Sequence, residues 1–176
     1  QGIGVVDAFL DLAVEEGLNT GFVLEQVAGA DDQAMKALLN SPHVVIGLSD
    51  SGAHVVYDPG YGFSTYFLRR WVGDEGIMSL EQGVRKLTFD QALLFGIPNR
   101  GLIRPGMAAD LVVFDPDAID LEEVEEVHDL PGGALRQKQV AKGIYYTVVN
   151  GQLLIERGEH TGVYPGRVVR NSSTRV

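Results

Sequence analysis

The chain has 176 residues, with 14 Lys and Arg against 24 Asp and Glu, no Cys, and 45% hydrophobic side chains. That apolar fraction is globular. The net charge of −10 leaves too few basic clusters for phosphate neutralisation, so neither nucleic acid nor an anionic membrane surface is an expected partner, and the lack of Cys excludes disulfides, thiolate-bound zinc and thiol catalysis.

Residues 5–16 have a helical pattern. Val6, Phe9, Leu10, Ala13 and Val14 recur at three- and four-residue spacing opposite Asp7, Asp11, Glu15 and Glu16. Gly17 supplies the stop. Residues 21–27 are strand-like. A second helix is predicted over 32–39, with Met35, Leu38 and Leu39 inward and Asp31 or Asp32 at its N-cap. The run His43-Val44-Val45-Ile46-Gly47-Leu48 is short, β-branched and apolar on both faces. It suits a strand buried on both sides, as in a parallel α/β sheet. A polar loop rich in Gly, Asp, Ser and Tyr follows over 49–62.

Residues 63–72 are predicted helical. Ser79-Leu80-Glu81-Gln82 and Thr88-Phe89-Asp90-Gln91 both match the capping-box spacing. They open two short helices ending near Leu87 and Gly96. The pattern changes between 97 and 105. Ile103-Arg104-Pro105-Gly106-Met107 is a turn, and Leu111-Val112-Val113-Phe114-Asp115 a strand. Residues 145–149 and 152–156 form a hairpin around Asn150-Gly151, because that turn needs positive φ at both residues. The tail 171–176 is polar and expected to fray. No apolar stretch approaches the ~20 residues of a membrane helix. Gln1-Gly2-Ile3 opens no secretory signal. The chain reads as a segment of something longer, with a cytoplasmic location expected.

Charge is uneven. Residues 1–60 hold nine acids and one base, most simply a set of solvated helix faces. The leading chemical candidate is Ser49-Asp50-Ser51-Gly52-Ala53-His54. Asp50 ends the predicted buried strand, where parallel α/β proteins assemble chemistry. A carboxylate there is a general base, a metal ligand, or simply a turn former. His54 is either a hydrogen-bonded loop residue or a substrate contact. His43, His128 and His160 read as structural. Arg69 and Arg70 read as a solvated face or an anion site, and Tyr66, Phe67 and Trp71 as core or a substrate platform. There is no His-x-His, His-Glu-x-x-His, Gly-x-Ser-x-Gly or phosphate loop. The chain by itself supplies one carboxylate to a site, not a whole site.

Three stretches resemble a known family. Gly101-Leu102-Ile103-Arg104-Pro105-Gly106-Met107-Ala108-Ala109-Asp110-Leu111-Val112-Val113-Phe114-Asp115 is similar to the C-terminal signature of metal-dependent amidohydrolases. Its Pro105-Gly106 suits a tight turn with positive φ at Gly106, and Asp110 can satisfy turn amides. Val148-Val149-Asn150-Gly151-Gln152, followed by Glu159-His160-Thr161-Gly162 and Pro165-Gly166-Arg167, resembles the end of the D-aminoacylase, or N-acyl-D-amino-acid deacylase, branch. Leu48–His54 resembles that branch's last barrel strand.

The resemblance implies an α/β fold: the C-terminal portion of a (β/α)₈ TIM barrel followed by part of a small β-sandwich. Residues 1–98 would be the last strand–helix units, 99–170 the sandwich segment and 171–176 a frayed tail. It implies hydrolysis of C–N (amide) bonds, with N-acyl-D-amino acids as candidate substrates. Asp50 would be the acid/base and a possible metal ligand, with Ser51 and His54 contacting substrate. A divalent metal, zinc by expectation, belongs to the full-length parent, and none is expected in this piece alone. A small-molecule amide is the expected partner. The alternative is a non-catalytic scaffold piece that forms homo-oligomers or swaps segments to cover opened edges.

Overall fold

The computed structural model describes residues 2–21 and 31–171. It divides into two compact units, residues 1–35 and 36–176. No helix among the described residues is long and apolar enough to cross a membrane.

The first unit contains α1 (Val5–Glu15), which closes near Gly17 at φ 61°. Its amphipathic pattern is real, but no α1 residue is buried: Val5 and Val14 are 87% and 76% exposed. The strand-like reading of 22–27 lies outside the described residues. α2 (Asp32–Asn40) begins in the first unit and ends in the second. Asp31 is its cap, accepting from the amides of Gln33 and Ala34 at 2.9 and 3.1 Å. Leu39 is buried, whereas Leu38, expected inward, is half exposed.

Residues 44–48 form no strand. No strand among the described residues pairs with the run, and a ladder needs two partners. Side chains from the next helices bond some of its carbonyls instead. Lys86 Nζ donates to Ser41 O and Val44 O at 3.1 and 3.3 Å, and Gln91 donates to Ile46 O. Leu48 is 83% exposed, so the expectation of burial on both faces is corrected.

After the loop come α3 (Phe63–Tyr66) and a π-helical stretch, Phe67–Asp74. The wide turn is visible in the bond from Glu75 N to Arg70 O at 2.9 Å. Phe67, Trp71 and Val72 are buried here, which supports the core reading, but Tyr66 is half exposed. α4 (Leu80–Leu87) packs on this stretch at Gly83, where a Cβ would stand 2.7 Å from Val72 Cγ2. Its capping box forms as predicted: Gln82 N donates to Ser79 Oγ at 3.3 Å, and Ser79 N to Gln82 Oε1 at 2.9 Å. α5 (Phe89–Leu94) lacks the second box. The Thr88 hydroxyl donates backward to Val84 O at 2.7 Å, and Gln91 is occupied by Ile46.

The remaining elements are strands, all paired antiparallel: β1 (Leu111–Phe114), β2 (Asp120–Leu121), β3 (Glu125–Leu130), β4 (Ala134–Lys138), β5 (Ala141–Lys142), β6 (Ile144–Val149), β7 (Gln152–Glu156) and β8 (Glu159–His160). One sheet has the order β1-β6-β7-β8, and β2–β5 and β3–β4 are separate ribbons. The content is thus mixed α and β, with no parallel pair among the described residues. Asn150 and Gly151 take φ 49° and 77° in the β6–β7 turn, as the dipeptide requires. Arg157 and Gly158 repeat that geometry at φ 48° and 88° and start β8. Gly106 has the expected positive φ of 87°.

Gly143, at φ 76°, abuts the 115–119 turn so closely that a Cβ would lie 2.6 Å from the Ala118 carbonyl. Asp110 does satisfy a turn amide, but across the sheet. It accepts from Asn150 N at 2.8 Å and pairs with Arg100, which also donates to Asn150 Oδ1 at 2.7 Å. Asn150 Nδ2 in turn donates to Pro165 O at 2.6 Å. The 101–115 signature, the hairpin and the C-terminal segment are thereby tied at one point.

Candidate active-site loop

Residues 49–61 fold into a closed loop through short-range bonds. Ser49 Oγ donates to Ser51 Oγ at 2.8 Å, and Ala53 N to Asp50 O at 2.8 Å. His54 O accepts from Tyr57 N and Asp58 N at 3.0 and 2.8 Å. His54 Nδ1 and the Tyr57 hydroxyl share a 2.6 Å hydrogen bond, with the rings stacked 5.0 Å apart. The Asp58 carboxylate accepts from Gly60 N at 2.7 Å, an Asx-turn. Gly60 closes the loop onto its own start, since a Cβ there would lie 3.4 Å from Ser49 Cβ.

Asp50 is exposed at the entrance of this loop. No hydrogen bond or ion pair among the described residues engages its carboxylate. Ser51 and His54 share the loop with Asp50, but neither bonds to that carboxylate. His54 is committed to Tyr57. His128 Nδ1 is bonded to Gly133 O at 3.0 Å, and His160 Nδ1 accepts from Gly162 N at 2.9 Å, which fits the structural reading of both. Arg69 pairs with Asp74 at 3.1 Å, and Arg70 pairs with Glu75 at 3.3 Å and lies over Trp71. These two arginines are part of a paired helix surface, which fits the solvated-face reading.

A cavity of about 580 Å³ lies elsewhere in the second unit, between residues 40–45 and α4–α5. Val44, Met78, Lys86, Asp90 and Leu94 are among its walls, and Asp50 is not.

Sequence reasoning passed over two features. One is the Arg100–Asp110–Asn150 knot. Burial raises the Asp110 carboxyl's affinity for a proton, but the Asn150 amide and the Arg100 guanidinium outweigh that and hold its pKa below the ordinary carboxylate value. The second is Tyr61, whose hydroxyl reaches β4. The signal for the first lay in the sequence, as an Asp before a strand and an Asn-Gly hairpin. Nothing in the sequence marked the second, a contact across more than seventy residues.

No group of three or more His, Asp or Glu able to hold a metal occurs among the described residues. Asp50, with no second donor beside it among the described residues, does not fit a four-ligand metal centre.

The sequence profile described as the amidohydrolase family matches residues 5–155. The chain belongs to the amidohydrolase family. Relatives place it beside the D-aminoacylases, as the resemblance implied. N-acyl-D-aspartate deacylase of Alcaligenes xylosoxydans xylosoxydans is 31% identical over 174 residues, covering 92% of this chain and 32% of that protein. An uncharacterized protein of Mycobacterium tuberculosis strain H37Rv is 33% identical over 133 residues, covering 73% of this chain and 21% of its own length. A crystal structure of D-aminoacylase is 34% identical and superposes with a TM-score of 0.47 over 61% of this chain and 21% of that one. The chain thus spans between about a fifth and a third of the length of the curated relatives it matches.

Proposed function

We propose that this chain is the C-terminal part of a hydrolase acting on amide C–N bonds, with Asp50 as its general acid/base. The observation that carries the reading is the state of Asp50. Within the family-matched span, it follows an apolar run and is exposed, with no hydrogen bond or ion pair to its carboxylate among the described residues. A general base needs a free lone pair and access to water. Amide nitrogen is a poor leaving group until protonated. The same carboxyl would therefore take a proton from the attacking water and return it to the departing nitrogen. Ser51 and His54, on the same loop, would contact a small amide substrate, with N-acyl-D-amino acids the class suggested by the deacylase relatives. In this reading residues 1–98 close a barrel and 99–170 contribute to a sandwich. A divalent metal, with zinc the expected ion, would draw its remaining ligands from parts of the parent protein outside this chain.

In the longer parent enzyme, Asp50→Asn should lower kcat by at least about 100-fold with unchanged circular dichroism. Retention of most of the activity would remove Asp50 from the mechanism.

A second reading, an assembly piece, is favoured by one observation: the apolar side chains of α1 are uncovered, with Val6 70% and Leu10 52% exposed. Such surface favours self-association. Light scattering that shows a monomer at high concentration would count against it.

A further inference from the structure

The backbone of Gln137 in β4 faces two ways. Gln137 stands opposite Glu126 of β3, yet its own N–H and C=O point to the far side of the strand. There they meet the candidate active-site loop. Gln137 N donates to Val55 O at 2.7 Å. The Tyr61 hydroxyl donates to Gln137 O at 3.2 Å and accepts from Gln139 N at 2.6 Å. One phenol thus bridges two peptide groups that a third strand would otherwise satisfy. Val55 and Tyr61 flank the turn containing Tyr57 and Asp58, so the loop is pinned at both ends of that turn. Gly62 brings the next residues equally close, since a Cβ there would stand 2.7 Å from Leu121 Cδ2 in β2.

We propose that Tyr61 is a positioning residue: its hydroxyl anchors the loop carrying Asp50, Ser51 and His54 to the β4 edge and fixes where those groups stand. The β part of the chain then has a direct role in the reaction without touching substrate. The catalytic consequence rests on the reading of Asp50 as acid/base, but the anchoring itself does not.

The test is Tyr61→Phe. It removes both hydroxyl bonds to the backbone and the hydroxyl's interaction with the Arg136 guanidinium, and keeps a ring that is 41% exposed, so core packing is preserved. In the 176-residue chain, hydrogen exchange at the amides of Tyr57, Asp58, Gly60, Gln137 and Gln139 should quicken about tenfold, with exchange in α4, β6 and β7 unchanged. In the longer parent enzyme, kcat should fall about tenfold with KM within about twofold. Tyr61→4-aminophenylalanine, which restores a donor, should recover part of both effects. Unchanged exchange in the loop overturns the anchoring, whatever Asp50 does. Faster exchange with full kcat overturns the positioning role. An active Asp50→Asn enzyme is a separate result: it defeats the acid/base reading and leaves the exchange prediction standing.

Discussion

Removing the Asp110 carboxylate should weaken this fold more than removing any surface acid. Asp110→Ala deletes the acceptor for Asn150 N and the counter-charge of Arg100, whose side chain is only 18% exposed. Arg100 Nε is already buried without a partner among the described residues, so the guanidinium would keep its hydrogen bond to Asn150 Oδ1 at 2.7 Å. Charge-assisted hydrogen bonds contribute about 1.5–3 kcal/mol each, and the carboxylate's residual 31% exposure screens that value. A net loss of about 2–3 kcal/mol is expected. In urea this is a midpoint lower by about 1 M with an unchanged slope. The control is Asp129→Ala, which breaks a two-bond pair with Arg136 on an exposed ribbon and should shift the midpoint far less. The pH dependence has a definite sign. The folded pKa of Asp110 lies below its unfolded value, so its stabilisation is complete above the unfolded value and is lost as pH falls through the folded one. The variant should therefore lose less stability than the parent on acidification. Equal urea midpoints for Asp110→Ala and Asp129→Ala would refute the reasoning.

Ser79→Ala should cost about 1 kcal/mol, because the Gln82 amide loses its hydroxyl acceptor, while the backbone N–H of residue 79 still donates to Gln82 Oε1. Thr88→Ala should shift thermal stability less, since the Thr88 hydroxyl caps no amide of α5. Equal melting shifts for the two would contradict the difference between the caps. Gly143→Ala places a methyl 2.6 Å from the Ala118 backbone at a positive φ, and should lower the melting temperature by at least about 4 °C. A neutral result would mean that the 115–119 turn yields freely.

The features legible in the sequence were those set by neighbouring residues. Ser79 and Gln82 specify a cap within one helical turn, Asn150-Gly151 a hairpin, and Gly106 a left-handed turn. The features that failed depended on distant partners. Val44–Leu48 has a strand's composition, but extended chain becomes a strand only beside another. Thr88 and Gln91 match a capping motif, yet Gln91 is drawn away to Ile46 O, forty-five residues back. β3 was invisible because Glu125 and Glu126 are both exposed, so no alternating pattern appears. The candidate site behaved the same way. The place of Asp50 at the end of an apolar run could be read directly, while Tyr61's reach to Gln137 required the fold.

The sheet's connections differ greatly in reach. β6, β7 and β8 follow one another through the tight turns at Asn150-Gly151 and Arg157-Gly158, whereas β1 must cross from Phe114 to Ile144 before it finds β6. Loop-closure entropy grows with that span, and non-local pairing is slow. The C-terminal three-stranded meander should therefore nucleate as an autonomous kinetic unit, and β1 should dock onto it as the later event. The sheet would then assemble backward along the chain, from β7 toward β1.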